Sequence, residues 1–262
     1  MGSATTRALA TSAAALSEAK GVTLGTAGEL LTAAALLDEN PALSSALADP
    51  GAGAPVRQKL SADVFASFGA VTRSVIAQVA AERWSSPSDL VDAVGELGIR
   101  AAAIAAPETD IEGELFAVTR IISGNPELEL ALGSRLGDGA AKAALVEKLL
   151  GGRAGAATTL IVSSLVQHPR GRRVHRLLNR AMRIVSAQRD RLVATVQTAT
   201  ALSDAQATRL RETLTRRYGS PVALNVVLTP ALVGGLRVQI GDDVIDGSVA
   251  ARLSDLRLRL AG

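Results

Sequence analysis

The sequence predicts a mainly α fold, with a duplicated helical bundle region followed by a small α/β C-terminal domain. Three observations carry this expectation. Apolar residues make up 48% of the 262 residues and are mostly Ala, Leu and Val, whereas aromatic residues make up only 2%. Small side chains and good helix formers favour helices that approach one another closely. A pattern in the first half recurs in the second at a spacing of 85 residues. Runs of β-branched and alternating residues appear only after about residue 190.

The recurrence is residue for residue. Gly28-Glu29-Leu30 returns as Gly113-Glu114-Leu115, Asn40-Pro41-Ala42-Leu43 as Asn125-Pro126-Glu127-Leu128, and Ala46-Leu47 as Ala131-Leu132. Leu36 and Leu37 fall on Ile121 and Ile122. Leu60, Val64, Val75 and Ile76 fall on Leu145, Leu149, Leu160 and Ile161. One offset without a gap indicates an internal duplication. Two copies are too few for a solenoid, so two related helical units are expected, 1–105 and 106–190.

Within each unit, Leu30, Ala34, Leu37 and then Leu43 and Leu47 keep three-to-four spacing. Asn40-Pro41 and Asn125-Pro126 are breaks, where Asn can cap and Pro fits the first turn of the next helix. The stretch 49–55 and Gly151-Gly152 read as loops, Ser86-Pro87 opens another helix, and 107–113 separates the units. Its alternating Glu108, Asp110, Glu112 and Glu114 read as a solvated linker. Trp84, the only tryptophan, is expected in the core.

The α/β domain is expected over 191–262. Residues 192–198 form a first strand. Ser203 and Gln206 have capping-box spacing and open a helix that ends at Tyr218 before Gly219. Residues 222–229 form a second strand. Leu236, Val238 and Ile240 alternate with Arg237 and Gln239 as a half-buried third strand. Gly241-Asp242-Asp243 turns the chain into a short strand at Val244-Ile245. Asp246 or Ser248 then caps a last helix carrying Leu253, Leu256 and Leu260.

The search for chemistry is mostly negative. The chain has no cysteine, which excludes disulfides and thiolate metal sites and fits a reducing compartment. No apolar run is long enough to span a bilayer. The Ala-rich stretch 7–19 has too few Leu or Ile residues for a leader and continues in helical style past Glu18 and Lys20. No phosphate loop or dinucleotide fingerprint is present, so no nucleotide or other cofactor is expected. His168 and His175 lie two helical turns apart with Pro169 between them, unlike a zinc-binding helix. No nucleophile motif such as G-x-S-x-G occurs, so no catalytic residue is assigned.

Charge is uneven. Residues 1–105 carry seven Lys/Arg and ten Asp/Glu, and 106–262 carry twenty-one and fifteen. A basic second half suggests an acidic partner, nucleic acid or a membrane surface. Its densest part is Arg170, Arg172, Arg173, Arg176, Arg180 and Arg183, of which 172, 176, 180 and 183 share a helix face. Nucleic-acid binding through that stripe is the alternative reading, but the aromatic residues that stack bases are nearly absent. An enzyme is supported only by the chain's size.

One segment is specific. Pro230-Ala231-Leu232-Val233-Gly234-Gly235-Leu236-Arg237-Val238-Gln239-Ile240-Gly241-Asp242-Asp243-Val244-Ile245-Asp246-Gly247-Ser248-Val249 resembles the signature of the delta subunit of bacterial F-type ATP synthases. The mitochondrial counterpart of that family is the oligomycin-sensitivity-conferring protein. Pro230, Gly234, Gly235, Gly241, Asp246 and Ser248 are the signature's structural residues here. Gly234-Gly235 permits a bend that side chains would block, and Gly241 permits a tight turn. The resemblance continues back to about residue 115, and the preceding unit is similar to the enlarged actinobacterial form of the family.

That resemblance implies a non-catalytic stator part, with no cofactor and no nucleic acid. It would link the alpha/beta catalytic head, through alpha-subunit N-terminal helices, to the b-type peripheral stalk held by the α/β domain. Association with the cytoplasmic face of the plasma membrane would be peripheral, through the complex. Candidate partner contacts are Arg172, Arg176, Arg257 and Arg259.

Overall fold

The computed structural model describes residues 2–134, 137–230, 232, 234–241 and 243–249. They fall into two compact units, Met1–Val185 and Ser186–Gly262. The first is helical. Its helices are α1 (Ser3–Glu18), α2 (Leu24–Glu39), α3 (Pro41–Ala48), α4 (Ala54–Val64), α5 (Ala70–Ala81), α6 (Pro87–Ala105), α7 (Ile111–Ser123), α8 (Pro126–Gly133), α9 (Gly139–Leu150), α10 (Ala156–Gln167) and α11 (Val174–Gln188). Among the described residues, no helix is long and apolar enough to cross a membrane.

The run α2–α6 reappears in the same order as α7–α11. Pro41 and Pro126 occupy the first turns of α3 and α8. Asn40 and Asn125 act differently from the sequence expectation. Neither side chain caps the following helix. Each Nδ2 instead donates backward, to Leu36 O and Ile121 O, both at 2.7 Å. The side chain thereby closes the end of the preceding helix, and at Leu36 O it joins the Asn40 backbone N–H, which donates to the same oxygen at 3.1 Å.

A recurrent clamp shows where the constant offset fails. The Glu29 carboxylate accepts from Gly69 N at 3.0 Å and from Thr72 Oγ1. Glu114 accepts from Gly155 N at 3.0 Å and from Thr158 Oγ1. Glu29 and Glu114 are 85 apart, but Gly69 and Gly155, and Thr72 and Thr158, are 86 apart. Val75, Ile76 and Ala80 are buried in α5, and Ile161, Val162 and Val166 in α10. Val75 and Ile76 therefore match Ile161 and Val162, not Leu160 and Ile161. The extra residue enters at the end of α9, and a shift of one residue turns a helix face by about 100°, so later pairs must slip with it.

The supposed linker at 107–113 is also corrected. α7 begins at Ile111, where Asp110 accepts from Gly113 N at 3.1 Å as an N-cap. Ile111 and Glu112 are buried and Glu114 is the clamp just described. Acidic residues gather here because a helix N-terminus favours negative charge.

α6 is the central helix, packing on α1, α2, α3, α5 and α10. Its approach to α2 depends on Gly98, where a Cβ would lie 2.7 Å from Leu31 Cγ and 3.1 Å from Leu31 N. The second repeat meets the first through α10, which touches α2 and α6. Trp84 is buried as expected and donates from Nε1 to Val79 O at 2.9 Å.

The second unit contains β1 (Leu192–Thr198), α12 (Asp204–Tyr218), β2 (Val222–Leu228), β3 (Leu236–Ile240) and β4 (Asp243–Asp246). The sheet order is β2-β1-β3-β4, with β1 and β2 parallel and the other pairs antiparallel. The β1–α12–β2 run is thus a crossover unit whose helix covers one face. Its core is Ala194, Val196, Leu214, Val222, Val238 and Ile240. Ser203 and Gln206 form the capping box, and Gly219 closes α12 in the left-handed region at φ 72°. Val238 and Ile240 are buried while Arg237 and Gln239 face outward, as the alternation indicates. The last helix expected from Leu253, Leu256 and Leu260 lies outside the described residues, as do Arg257 and Arg259.

Candidate functional site

Among the described residues no three His, Asp or Glu side chains are grouped to hold a metal. His168 Nδ1 lies 3.7 Å from Glu39 and His175 Nδ1 3.3 Å from Glu129, so each histidine sits beside one carboxylate of another helix. The features that remain are a charged cluster, a free basic face and the signature corner.

The charged cluster gathers three arginines on three carboxylates. Arg170 Nε lies 2.8 Å from Asp38 Oδ1, and Arg170 also pairs with Asp92. Arg172 Nη2 lies 2.6 Å from Asp92 Oδ2. Arg180 reaches Asp92 and Glu96, each at 3.5 Å. Arg100 closes the set on Glu96 at 2.8 Å, one helical turn along α6. Burial would raise the Asp92 carboxyl. The hydrogen bond from Arg172 and the charges of Arg170, Arg172 and Arg180 outweigh it and hold Asp92 below its ordinary value.

The sign of the pH effect follows. A depressed carboxyl contributes stability in full above its unfolded value, about 3.9, and loses it as pH falls through the folded value. The melting temperature of the wild type is therefore expected to drop below about pH 4 more steeply than that of Asp92→Asn. Parallel melting curves across that range would reject this role for Asp92.

The arginine stripe read from the sequence is thus split. α11 starts at Val174, so Arg172 lies in the loop before it and not on the helix. Arg172 and Arg180 are engaged with α6 carboxylates. Arg173, Arg176 and Arg183 are exposed and make no ion pair among the described residues. The acidic partners were invisible beforehand because Asp38 and Asp92 lie far from residue 170 in the chain.

The signature corner is compact. Gly234 and Gly235 have φ of 91° and 79°, in the region that favours glycine. A Cβ on Gly235 would meet the Gly247 carbonyl oxygen and lie 2.9 Å from Ser248 Cα. Gly247 N donates to Leu236 O at 2.9 Å, and Val249 N to Gly234 O at 3.1 Å. Asp246 accepts from Ser248 N at 3.0 Å. The Ser248 hydroxyl and then its backbone N–H hold Asp246 below the usual carboxylate range. The structure therefore brings Gly234, Gly235, Asp246 and Ser248 together. Gly241, at φ 57°, makes the β3–β4 turn, and Pro230 is an exposed turn residue after β2.

This corner lies within the stretch that a family model matches. The family model for the ATP synthase delta (OSCP) subunit matches residues 99–260. The chain belongs to this family. The delta subunit of Leifsonia xyli subsp. xyli is 47% identical over 264 residues, covering all of both chains. The delta subunit of Streptomyces avermitilis is 43% identical over 240 residues, covering 90% of this chain and 88% of its own. A chain of the Toxoplasma gondii mitochondrial ATP synthase hexamer covers 63% of this chain and 97% of its own at 18% identity. The TM-score of that match is 0.35. The family model covers the second repeat and the α/β unit. The full-length matches extend the delta (OSCP) likeness over the first repeat, as the enlarged actinobacterial form.

Proposed function

We propose that this chain is a non-catalytic stator part of an F-type ATP synthase. It ties the alpha/beta head to a b-type peripheral stalk so that the head does not turn with the central shaft. The observation that carries the reading is one family match running across two compact units of different construction. A connector needs two attachment surfaces that do not compete, and two separately cored units supply them.

The helical unit receives N-terminal helices of alpha subunits, and the α/β unit holds the end of the stalk. The free Arg173, Arg176 and Arg183 give the helical unit a basic face for an acidic partner. Such rim charges set approach rate and orientation more than affinity, so the lasting hold comes from apolar anchors entering a groove. An attachment that bears torque needs about 1,200–2,000 Å² of buried surface in total. The units 1–105 and 106–190 descend from a duplicated element, and Arg257 and Arg259 are probes of the stalk side. Membrane association is peripheral, at the cytoplasmic face, through the complex.

Truncation after Arg191 is expected to abolish capture by a b-type stalk peptide and to preserve binding of alpha N-terminal peptides. The measurement is a pulldown with each partner separately, with circular dichroism to confirm helicity. Full stalk affinity in the truncated form, or lost alpha binding in a folded one, would refute this division of labour.

A further inference from the structure

We propose that Asp38, Asp92 and Glu96 with Arg170, Arg172 and Arg180 form a clasp that docks the two repeats in one order only and holds them as one stiff body. Every carboxylate of the clasp lies in the first repeat, on α2 and α6, and every arginine lies in the second, on α11 and the loop before it. The clasp sits over an apolar floor that includes Leu31, Ala34, Val91, Ile99, Leu177 and Ile184. Apolar contact of this kind is non-directional, and any two copies of a related bundle can make it. Charge is what can distinguish one pairing from another.

The repeat spacing supplies the argument. At a spacing of 85, Asp38, Asp92 and Glu96 correspond to Ser123, Leu177 and Ala181, and Arg170, Arg172 and Arg180 to Ser85, Pro87 and Gly95. At a spacing of 86 the last five pairs become Leu178, Met182, Trp84, Ser86 and Val94. In neither register is a clasp charge repeated. A first repeat docked on another first repeat would cover Asp38 and Asp92 without arginines, Glu96 alone keeping Arg100 of its own helix, and two second repeats would cover Arg170, Arg172 and Arg180 without these carboxylates. A carboxylate as shielded as Asp92, 14% exposed, whose arginines all come from the second repeat, cannot be left unpaired without penalty. The correct order alone neutralises the interface.

The backbone adds a second, independent sign. Arg170 is one of two non-glycine residues with positive φ among those described, at 50°, followed by Gly171 at 72°. A side chain in that region is strained and persists only where its surroundings fix it. Here the strained residue presents its guanidinium to Asp38 and Asp92 at once. For a connector under load, a clasp of this type makes the additional repeat part of the rigid body, but the proposal stands without any partner.

The chain has no cysteine, so Ala62→Cys on α4 and Ala144→Cys on α9, both exposed, allow clean spin labelling of the full chain. Pulsed EPR is expected to show one narrow distance between them. The combined Asp92→Asn and Glu96→Gln variant is expected to keep wild-type helicity by circular dichroism while that distance broadens or splits. Raising salt to about 1 M, where screening acts over ~3 Å, should broaden the wild type to a lesser degree. If the variant keeps its helicity and the narrow distance, the apolar floor alone docks the repeats and the proposal fails. If it loses helicity, the Arg170→Gln and Arg172→Gln pair is read in the same way. Loss of helicity in both makes the cluster part of the fold of each repeat and equally overturns the proposal.

Discussion

Arg57→Ala is expected to remove about 4 kcal/mol or more from the helical unit, enough to populate its unfolded state under mild conditions. Arg57 lies on α4 and is only 4% exposed, yet it makes no ion pair with a carboxylate among the described residues. All of its hydrogen bonds go to backbone carbonyls. Nε donates to Ala80 O at 2.8 Å, Nη1 to Asp49 O and Ala52 O at 2.8 Å, and Nη2 to Ala81 O at 2.9 Å and Glu82 O at 3.1 Å. Three of those carbonyls belong to the C-terminal end of α5, where unsatisfied oxygens and the helix dipole favour a cation. The other two belong to the loop after α3. One side chain therefore staples the end of a helix to a loop.

Alanine would remove five donated hydrogen bonds, and of the five acceptors Asp49 O would keep Ala52 N at 3.3 Å. Water can reach some of them, so the loss is less than five separate hydrogen bonds at roughly 1.5–3 kcal/mol each. The second repeat contains a weaker version of the same device. Lys142 takes the place of Arg57 and reaches Ser134 O, the counterpart of Asp49 O. Lysine has three donors against five, so Arg57→Lys is expected to recover only part of the loss. Urea unfolding followed by circular dichroism measures both variants. A cost for Arg57→Ala below about 1 kcal/mol would show that the carbonyls are satisfied without it.

Gly235→Val is the second large effect, at about 3–5 kcal/mol, and it falls on the α/β unit alone. Two costs combine. A β-branched residue is strained at φ 79°, and its Cβ would press on the backbone of Gly247 and Ser248. Backbone cannot move aside as a flexible side chain can. Relief would break the Gly247 N to Leu236 O and Val249 N to Gly234 O bonds that close the corner. The appropriate comparison is Gly219→Val, which has a similar φ of 72° but nothing within 4 Å of the added Cβ. That variant tests strain without collision. Equal melting temperatures for the two would show that the close approach at Gly235 has no energetic weight.

Much of this protein was legible before any coordinates. The starts of α3 and α8 at proline, the Ser203–Gln206 box, the left-handed stop at Gly219 and the alternation along β3 all depend on residues a few positions apart. Local chemistry decides them, and adjacent letters record it. The repeat was legible for a different reason, because the same local solutions occur twice. It was misread by one residue after α9 because an insertion at a helix end leaves little mark on composition. The glycines of the signature segment announced a sharp corner, although only the structure showed that Gly235 faces the backbone of Gly247 and Ser248.

The order and kind of elements, the change from helical to mixed texture and the family were therefore determined by the sequence alone. Tertiary structure decided which charges meet. The stripe at 172, 176, 180 and 183 looked like one basic face, but the packing of α10 on α2 and α6 goes with two of those arginines turned onto Asp92 and Glu96. The acidic run at 108–114 looked like a solvated linker, but Glu114 closes on Thr158. Arg57, which no motif in the sequence singles out, is a buried staple. In each case at least one partner lies more than twenty residues away, and no period or cap relates the two positions. An ionic or hydrogen-bonded pair is chosen by three-dimensional proximity and by the cost of leaving a shielded polar group unmatched. That cost exists only once the chain has folded around it.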